Sequence, residues 1–258
     1  MLRKERQQQI LNMLHKQGSV EIPELAEAFG VSIITIRRDF DEMVEEGLIK
    51  KVYGGAVLAP QTTQEPEAQR LFHTRLEHNH REKKAIGIAA ASLAKEGETI
   101  VLNIGTTALE IAKNLRNAED LTVLTNSIPI LSELASTRLN VYSLGGKLRG
   151  SEFALHGSLA FNSLNNFCVD KAFIGAGGIT LENGITDHNR DSAELCSAIV
   201  NRSRKTILVT DSSKFGRDAS AVVGPLSIVD TIITDSGIPA EYAEGLRSMG
   251  IELIIVNI

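Results

Sequence analysis

The chain has 258 residues, 43% of them hydrophobic, and a formal net charge of −5 at pH 7. That length holds one large domain, or a small domain beside a larger one, and no apolar run approaches the length of a membrane span. The acidic balance excludes a globally basic coat for nucleic acid, although phosphate contact needs only a local basic face, and the absence of tryptophan argues against a binder that stacks single-stranded bases.

Residues 3–16 read as a first helix with Ile10, Leu11 and Leu14 as its apolar stripe and Gly18 closing it. Val20 and Ile22 open the next segment. Pro23 suits the first turn of a second helix, whose apolar face is Leu25, Ala26 and Phe29. Gly30 permits a tight turn into Val31-Ser32, as in a helix-turn-helix. Ser32 is a natural N-cap for a third helix, in which Ile36, Phe40 and Met43 recur at helical spacing and face inward. The opposite face presents Ile33, Ile34, Thr35, Arg37 and Arg38. Hydroxyls and paired guanidinium groups at a helix start suit the major groove of double-stranded DNA, where they meet phosphates and base edges. An isolated Arg-Arg pair suits any solvated helix; the neighbouring elements decide for DNA. Gly47 ends the periodicity, and residues 48–52 and 56–58 read as two strands around Tyr53-Gly54-Gly55. Such a hairpin is a wing that sets Lys50, Lys51 and Tyr53 against the DNA backbone. Six glutamates between Glu21 and Glu46 leave the segment near neutral. Contact is therefore confined to the Arg37/Arg38 and Lys50/Lys51 faces, with Arg3, Lys4 and Arg6 as further candidates.

The runs Glu5-Arg6, Ile10-Leu11, Leu25-Ala26, Val31-Ser32, Thr35-Ile36-Arg37-Arg38-Asp39, Gly47-Leu48 and Tyr53-Gly54-Gly55-Ala56 resemble the N-terminal signature of the DeoR family, bacterial repressors of sugar-catabolic operons. Phe40 stands where that family usually has Leu, and Tyr53 where it often has His. Phe40 still packs, and Tyr53 keeps a phosphate hydrogen bond without an imidazolium charge.

Residues 1–58 are thus expected to be a winged helix-turn-helix domain, 59–75 a polar, Pro-containing linker, and 76–258 a larger domain. His73, His78 and His80 lack the Cys or carboxylate pattern of a metal site. Cys168 and Cys196 carry no metal-ligand spacing and read as buried thiols of a cytoplasmic protein. The N-terminus runs directly into polar residues, without a secretory apolar region. From residue 81 a helix carrying Ile86, Ala89, Ala90 and Leu93 runs to Gly97. Strands at 99–104, 121–125, 140–144, 171–174, 205–210, 231–234 and 252–256 then alternate with helices at 107–115, 128–135, 159–167, 192–203 and 240–249. Short continuous apolar runs such as Ile207-Leu208-Val209 mark strands buried on both faces. The expected class is α/β with a mostly parallel sheet.

Ligands of such sheets bind beyond the carboxyl ends of the strands. The residues there are Gly105-Thr106-Thr107, Thr125-Asn126-Ser127, Gly145-Gly146-Lys147, Gly175-Ala176-Gly177-Gly178 and Asp211-Ser212-Ser213-Lys214. Gly105-Thr106-Thr107 leads into a helix and offers N–H groups and hydroxyls to an anion such as phosphate; Lys214 adds a cation. Asp187, Asp191 and Glu194 suit sugar hydroxyls, because carboxylates accept strongly from them. No cofactor is expected: Thr180 stands where a dinucleotide fingerprint after Gly175 would need its third glycine, and no Walker-type Lys-Ser/Thr follows a glycine loop.

These loops, with Gly178-Ile179, Gly184-Ile185-Thr186-Asp187 and Phe215-Gly216, are similar to the sensor domain of DeoR-type repressors, which is related to ribose-phosphate isomerases and CoA transferases. The resemblance implies a phosphorylated sugar effector. It assigns Gly105, Thr106, Thr107 and Lys214 to the phosphate and Thr125, Asn126, Asp187 and Glu194 to the sugar, with Gly145, Gly146 and Gly178 completing the set. It also implies a homo-oligomer, dimer or tetramer, that leaves operator DNA when the effector binds. The alternative is a sugar-phosphate isomerase carrying a DNA-binding domain. There Glu152, Asp187 or Glu194 would be the base and Lys214 the electrophile, but no paired acidic motif fixes that geometry.

Overall fold

The computed structural model describes residues 3–46, 48–58 and 67–258. It divides into two compact units, 1–66 and 67–258. The N-terminal unit starts with α1 (Arg3–Gln17), whose Ile10 and Leu14 are fully buried. A short strand, β1 (Ser19–Glu21), precedes α2 (Ile22–Phe29), and Gly30 ends that helix in the left-handed region at φ 63°. Ser32 caps α3 (Ile33–Glu45): its Oγ accepts from the Thr35 N–H at 3.2 Å. The hairpin of β2 (Ile49–Val52) and β3 (Gly55–Leu58) follows. Gly47, expected to end α3, lies outside the described residues.

The wing is an antiparallel sheet in the order β1-β3-β2. Its third strand, β1, is three residues long with only Val20 buried, too short a period to read. Ile10, Leu14, Leu25, Ile36, Phe40, Met43 and Ile49 form one core. At its edge the Arg6 guanidinium donates to both oxygens of Asp39, Nε at 2.5 Å and Nη2 at 3.0 Å. That pair pins α1 to α3, and the Asp39 hydrogen bond holds the Arg6 pKa above its usual value.

The second unit opens with α4 (Glu67–Glu77) and α5 (His80–Ala91). This corrects the expected linker. Residues 59–66 lie outside the described residues, but 67–75 are helical, because Phe72 and Leu76 share a helical face. Phe72 is buried in the second unit's core against Phe153, with ring centroids 5.3 Å apart.

Chain order continues as β4 (Thr99–Leu102), α6 (Thr106–Asn114), β5 (Thr122–Thr125), α7 (Ile128–Leu134), β6 (Asn140–Ser143), β7 (Lys147–Arg149), β8 (Ala154–His156) and α8 (Ser158–Leu164). It ends with β9 (Val169–Ile174), β10 (Gly178–Thr180), β11 (Gly184–Asp187), α9 (Arg190–Arg202), β12 (Ser203–Val209), β13 (Ala221–Gly224), β14 (Thr231–Asp235), α10 (Ala240–Ser248) and β15 (Glu252–Val256). Seven of these strands form one sheet in the order β15-β14-β12-β9-β4-β5-β6. All its pairings are parallel, and two apolar clusters cover its faces. The seven expected sheet strands are therefore present. The sequence reading lacked the β7–β8 hairpin and the antiparallel sheet β10-β11-β13, whose three- and four-residue strands are Gly-rich or polar. Cys196 is buried as expected; Cys168, just before β9, is exposed.

From β4 the chain builds outward through β5 to β6, then returns to β9 and builds the other way through β12, β14 and β15. The strand order reverses between β4 and β9, and a crevice opens at such a switch point beyond the strand carboxyl ends.

Candidate functional site

In the N-terminal unit, α3 turns its apolar residues Ile36, Phe40 and Met43 inward and leaves Ser32, Ile33, Ile34, Arg37 and Arg38 exposed. Ile34 is 65% exposed, unusual for a large aliphatic chain and suited to contact with a thymine methyl. Ser32 Oγ and Thr35 Oγ1 lie 2.9 Å apart and so share a hydrogen bond. Arg37 and Arg38 form no ion pair among the described residues. Lys50 and Tyr53 are exposed on the wing, whereas Lys51 pairs with Asp41 of α3. Two further basic candidates belong to the scaffold instead: Arg6 is buried on Asp39, and Arg3 pairs with Glu42 at 2.6 Å.

In the second unit a cavity of about 310 Å³ lies at the switch point. The loop after β4 lines it with Asn103, Gly105, Thr106 and Thr107, the loop after β9 with Gly175–Gly177, and the end of β12 with Thr210, Asp211 and Lys214. Asp187 enters from the end of β11, and Glu152 from the turn between β7 and β8. Thus Gly105, Thr106, Thr107, Asp187 and Lys214 come together on one cavity.

The remaining expected ligand residues lie elsewhere. Thr125 and Asn126 end β5, one strand beyond the switch, where the β7–β8 hairpin covers them. The Leu155 N–H donates to the Asn126 carbonyl at 2.8 Å, and Asn126 Nδ2 donates to the Leu155 carbonyl at 3.0 Å. Gly146 and Gly178 are required by close backbone approach. A Cβ would stand 2.3 Å from the His156 carbonyl oxygen at Gly146, where φ is +122°, and 2.2 Å from that of Arg217 at Gly178. Gly145 turns the chain into the same hairpin. Glu194 is exposed on α9 and pairs with Arg190 at 2.8 Å.

Sequence reading missed the cavity wall made by α4 and α5, with Thr74, Arg75, His78 and Lys83. Lys83 is buried, and its Nζ donates to the carbonyls of Arg75 and His78, closing the end of α4. Burial lowers its pKa. A signal existed: Lys83 falls on the same helical face as Ile86, Gly87 and Ala90, a charge in an apolar stripe. Asp211 accepts from Asn79 Nδ2 at 2.7 Å and from the Ser213 N–H at 3.2 Å. Burial raises its carboxyl, but the hydrogen bonds from Ser213 and Asn79, helped by Lys214 and Lys83, bring it below the usual range.

Two further carboxylates, Glu152 and Asp187, line the same cavity. Burial, then the charge of Glu152, push Asp187 above the usual carboxylate range. For Glu152 burial also acts upward, but contacts with His156 and Ser192, whose Oγ donates at 2.7 Å, bring it down. Burial and the Asp187 charge push the neighbouring Cys196 thiol up to about 12, so it stays protonated. The cavity lining thus combines the cations Arg75, Lys83 and Lys214 with the carboxylates Glu152, Asp187 and Asp211.

The comparisons with known proteins agree with both halves. Residues 6–62 match the DeoR-like helix-turn-helix domain, and residues 78–236 match the DeoR C terminal sensor domain. The chain belongs to the DeoR family. It is 34% identical to the HTH-type transcriptional regulator GolR of Listeria innocua, over 98% of each chain. It is 31% identical to the glycerol-3-phosphate regulon repressor of Escherichia coli K12, over 98% of this chain and 99% of that protein. Ribose 5-phosphate isomerase A of Methanocaldococcus jannaschii shows a low TM-score of 0.41 at 17% identity, covering 53% of this chain and 55% of that one. Membership makes this DeoR-family protein a DNA-binding transcriptional regulator. Among the described residues no helix is long and apolar enough to cross a membrane.

Proposed function

We propose that this regulator represses a carbohydrate-catabolic operon and leaves its operator when a phosphorylated sugar fills the switch-point cavity. In this reading α3 enters the major groove, Ser32, Ile33, Ile34, Thr35, Arg37 and Arg38 meet bases and phosphates, and Lys50, Lys51 and Tyr53 hold the backbone. Two or more subunits, a dimer or tetramer, present paired helices to repeated half-sites.

The observation that carries the effector assignment is the mixed charge of the cavity lining. Arg75, Lys83 and Lys214 line it together with the Gly105-Thr106-Thr107 helix start, while Glu152 and Asp187 also face it. Cations and helix N–H groups hold a phosphate, and carboxylates accept from hydroxyls. A phosphorylated polyol has both halves. The cavity's Glu152–Asp187 pair is also what an aldose–ketose isomerase would need, but relatives spanning the whole chain bear regulator names, and ligand binding requires the same groups. An effector acts only through unequal affinity for two states of the protein.

The test is fluorescence anisotropy on DNA from upstream of the protein's own gene, with sugar phosphates titrated beside their unphosphorylated forms. Release by a phosphorylated member alone supports the reading. Lys214→Ala should keep operator binding and lose that release; a variant released normally would remove Lys214 from the phosphate site.

A further inference from the structure

A second cavity, of about 270 Å³, lies on the β7–β8 hairpin and is lined by Lys147, Leu148, Arg149, His156, Gly157 and Asp191. It shares no lining residue with the switch-point cavity. The hairpin register explains its composition. Lys147 pairs with His156 across the two strands, and Arg149 lies two residues along from Lys147. Cross-strand partners and residues two apart project on the same face of a sheet. The pairing therefore gathers an ammonium, a guanidinium and an imidazole on one side of a very small hairpin.

The imidazole supplies the second observation. His156 is only 4% exposed, yet neither its Nε2 nor its Nδ1 makes a hydrogen bond. A buried polar atom left unmatched is costly, and these two belong to a side chain that lines a cavity. One of them, Nε2, stands 3.0 Å from Glu152 Oε2. Arg149 gives one Nη2 to Asp191 at 2.7 Å, which leaves most of the guanidinium's donors free. Lys147 is exposed and forms no ion pair among the described residues.

We infer that this hairpin cavity is a second anion site, taking a small oxyanion between Lys147, Arg149 and His156. Glu152 lines one cavity and His156, 3.0 Å from it, lines the other. Because the two cavities share no lining residue, the occupant is a free oxyanion rather than part of the molecule bound at the switch point. Asp191 opposes it and makes the site selective, because only a ligand that Arg149 can bind beside Asp191 is accepted.

The experiment is imidazole nitrogen NMR of the full chain labelled in its six histidines, with inorganic phosphate replacing chloride at constant pH and ionic strength. His156→Gln assigns the resonance. The expected result is a saturable shift of His156, with its midpoint raised at least tenfold in Lys147→Gln/Arg149→Gln. The same midpoint should stay unchanged in Lys214→Gln, which acts on the other cavity. If His156→Gln does not fold, the resonance that stops responding in the double variant identifies the site. A His156 signal that ignores phosphate would overturn the inference, as would one whose response is lost in Lys214→Gln and kept in the double variant. The first of these leaves the effector reading intact, because that reading stands on release of DNA.

Discussion

The α1–α3 interface of the N-terminal unit and the cavity of the second unit hold their charges in different ways. In the N-terminal unit the buried ions are matched: Arg6 meets both oxygens of Asp39, and the cations proposed to meet DNA remain outside on Arg37, Arg38 and Lys50. In the second unit Lys83 is held by backbone carbonyls, and Asp187 forms no salt bridge with a Lys or Arg among the described residues. A matched buried pair fixes geometry, which suits a unit that must present a helix rigidly. Charged groups that are not locked in an ion pair keep their charge available to something that arrives later. The difference separates a scaffold from a receptor.

The strongest way to break that comparison is Asp39→Ala. It removes the carboxylate that Arg6 Nε and Nη2 both meet across the α1–α3 interface, and removing one partner of a buried pair costs about 3–5 kcal/mol. Urea unfolding of the full chain should show the N-terminal unit melting first, while Arg6→Met/Asp39→Leu recovers most of the loss. A cost under about 1 kcal/mol, the scale of a surface ion pair, would mean that the pair is not the clamp.

Arg37→Ala and Arg38→Ala should instead leave melting unchanged and cost about 1–3 kcal/mol of operator affinity each, with relaxed specificity where a base contact is lost. Lys50→Ala should weaken all sequences alike and lower the salt slope by about one. Anisotropy titrations at several salt concentrations separate these outcomes. A uniform loss at Arg37 would reassign it from bases to phosphates.

How far each unit could be read from sequence follows the same division. α3 is legible because its cap, core positions and exposed face all fall within the single stretch Ser32–Met43, so spacing alone sorts them. The sheet strands were legible as apolar runs, and their carboxyl-end loops could be enumerated. Which loops converge depends on strand order, and a sequence does not state that order. Thr125, Asn126, Gly145 and Gly146 follow β5 and β6, on the far side of β4 from the switch, so they support a hairpin. Lys83 and Arg75 were missed for the complementary reason: they sit on helices that precede the sheet and reach the cavity only through packing. Glu194 has the right chemistry but the wrong helix face.

The finest test of the receptor side concerns Asp187 and Glu152, neighbours whose acidities move in opposite directions. Asp187 has a raised pKa, so the folded state holds its proton more tightly than the unfolded state. Its contribution is unfavourable at neutral pH, and the penalty fades as pH falls through the raised value towards the ordinary carboxylate range. Asp187→Asn should therefore raise stability at neutral pH. That gain should vanish in acid. Glu152 carries the other sign. Its lowered pKa adds stability above the ordinary carboxylate range, lost as pH falls through the lowered value, so Glu152→Gln should cost stability at neutral pH and converge on the parent in acid. Calorimetric melting of both variants across the carboxylate range reads the two slopes directly. Parallel slopes would show that neither group is kept poised for a ligand, and the receptor half of the comparison would then rest on Lys83 and Lys214 alone.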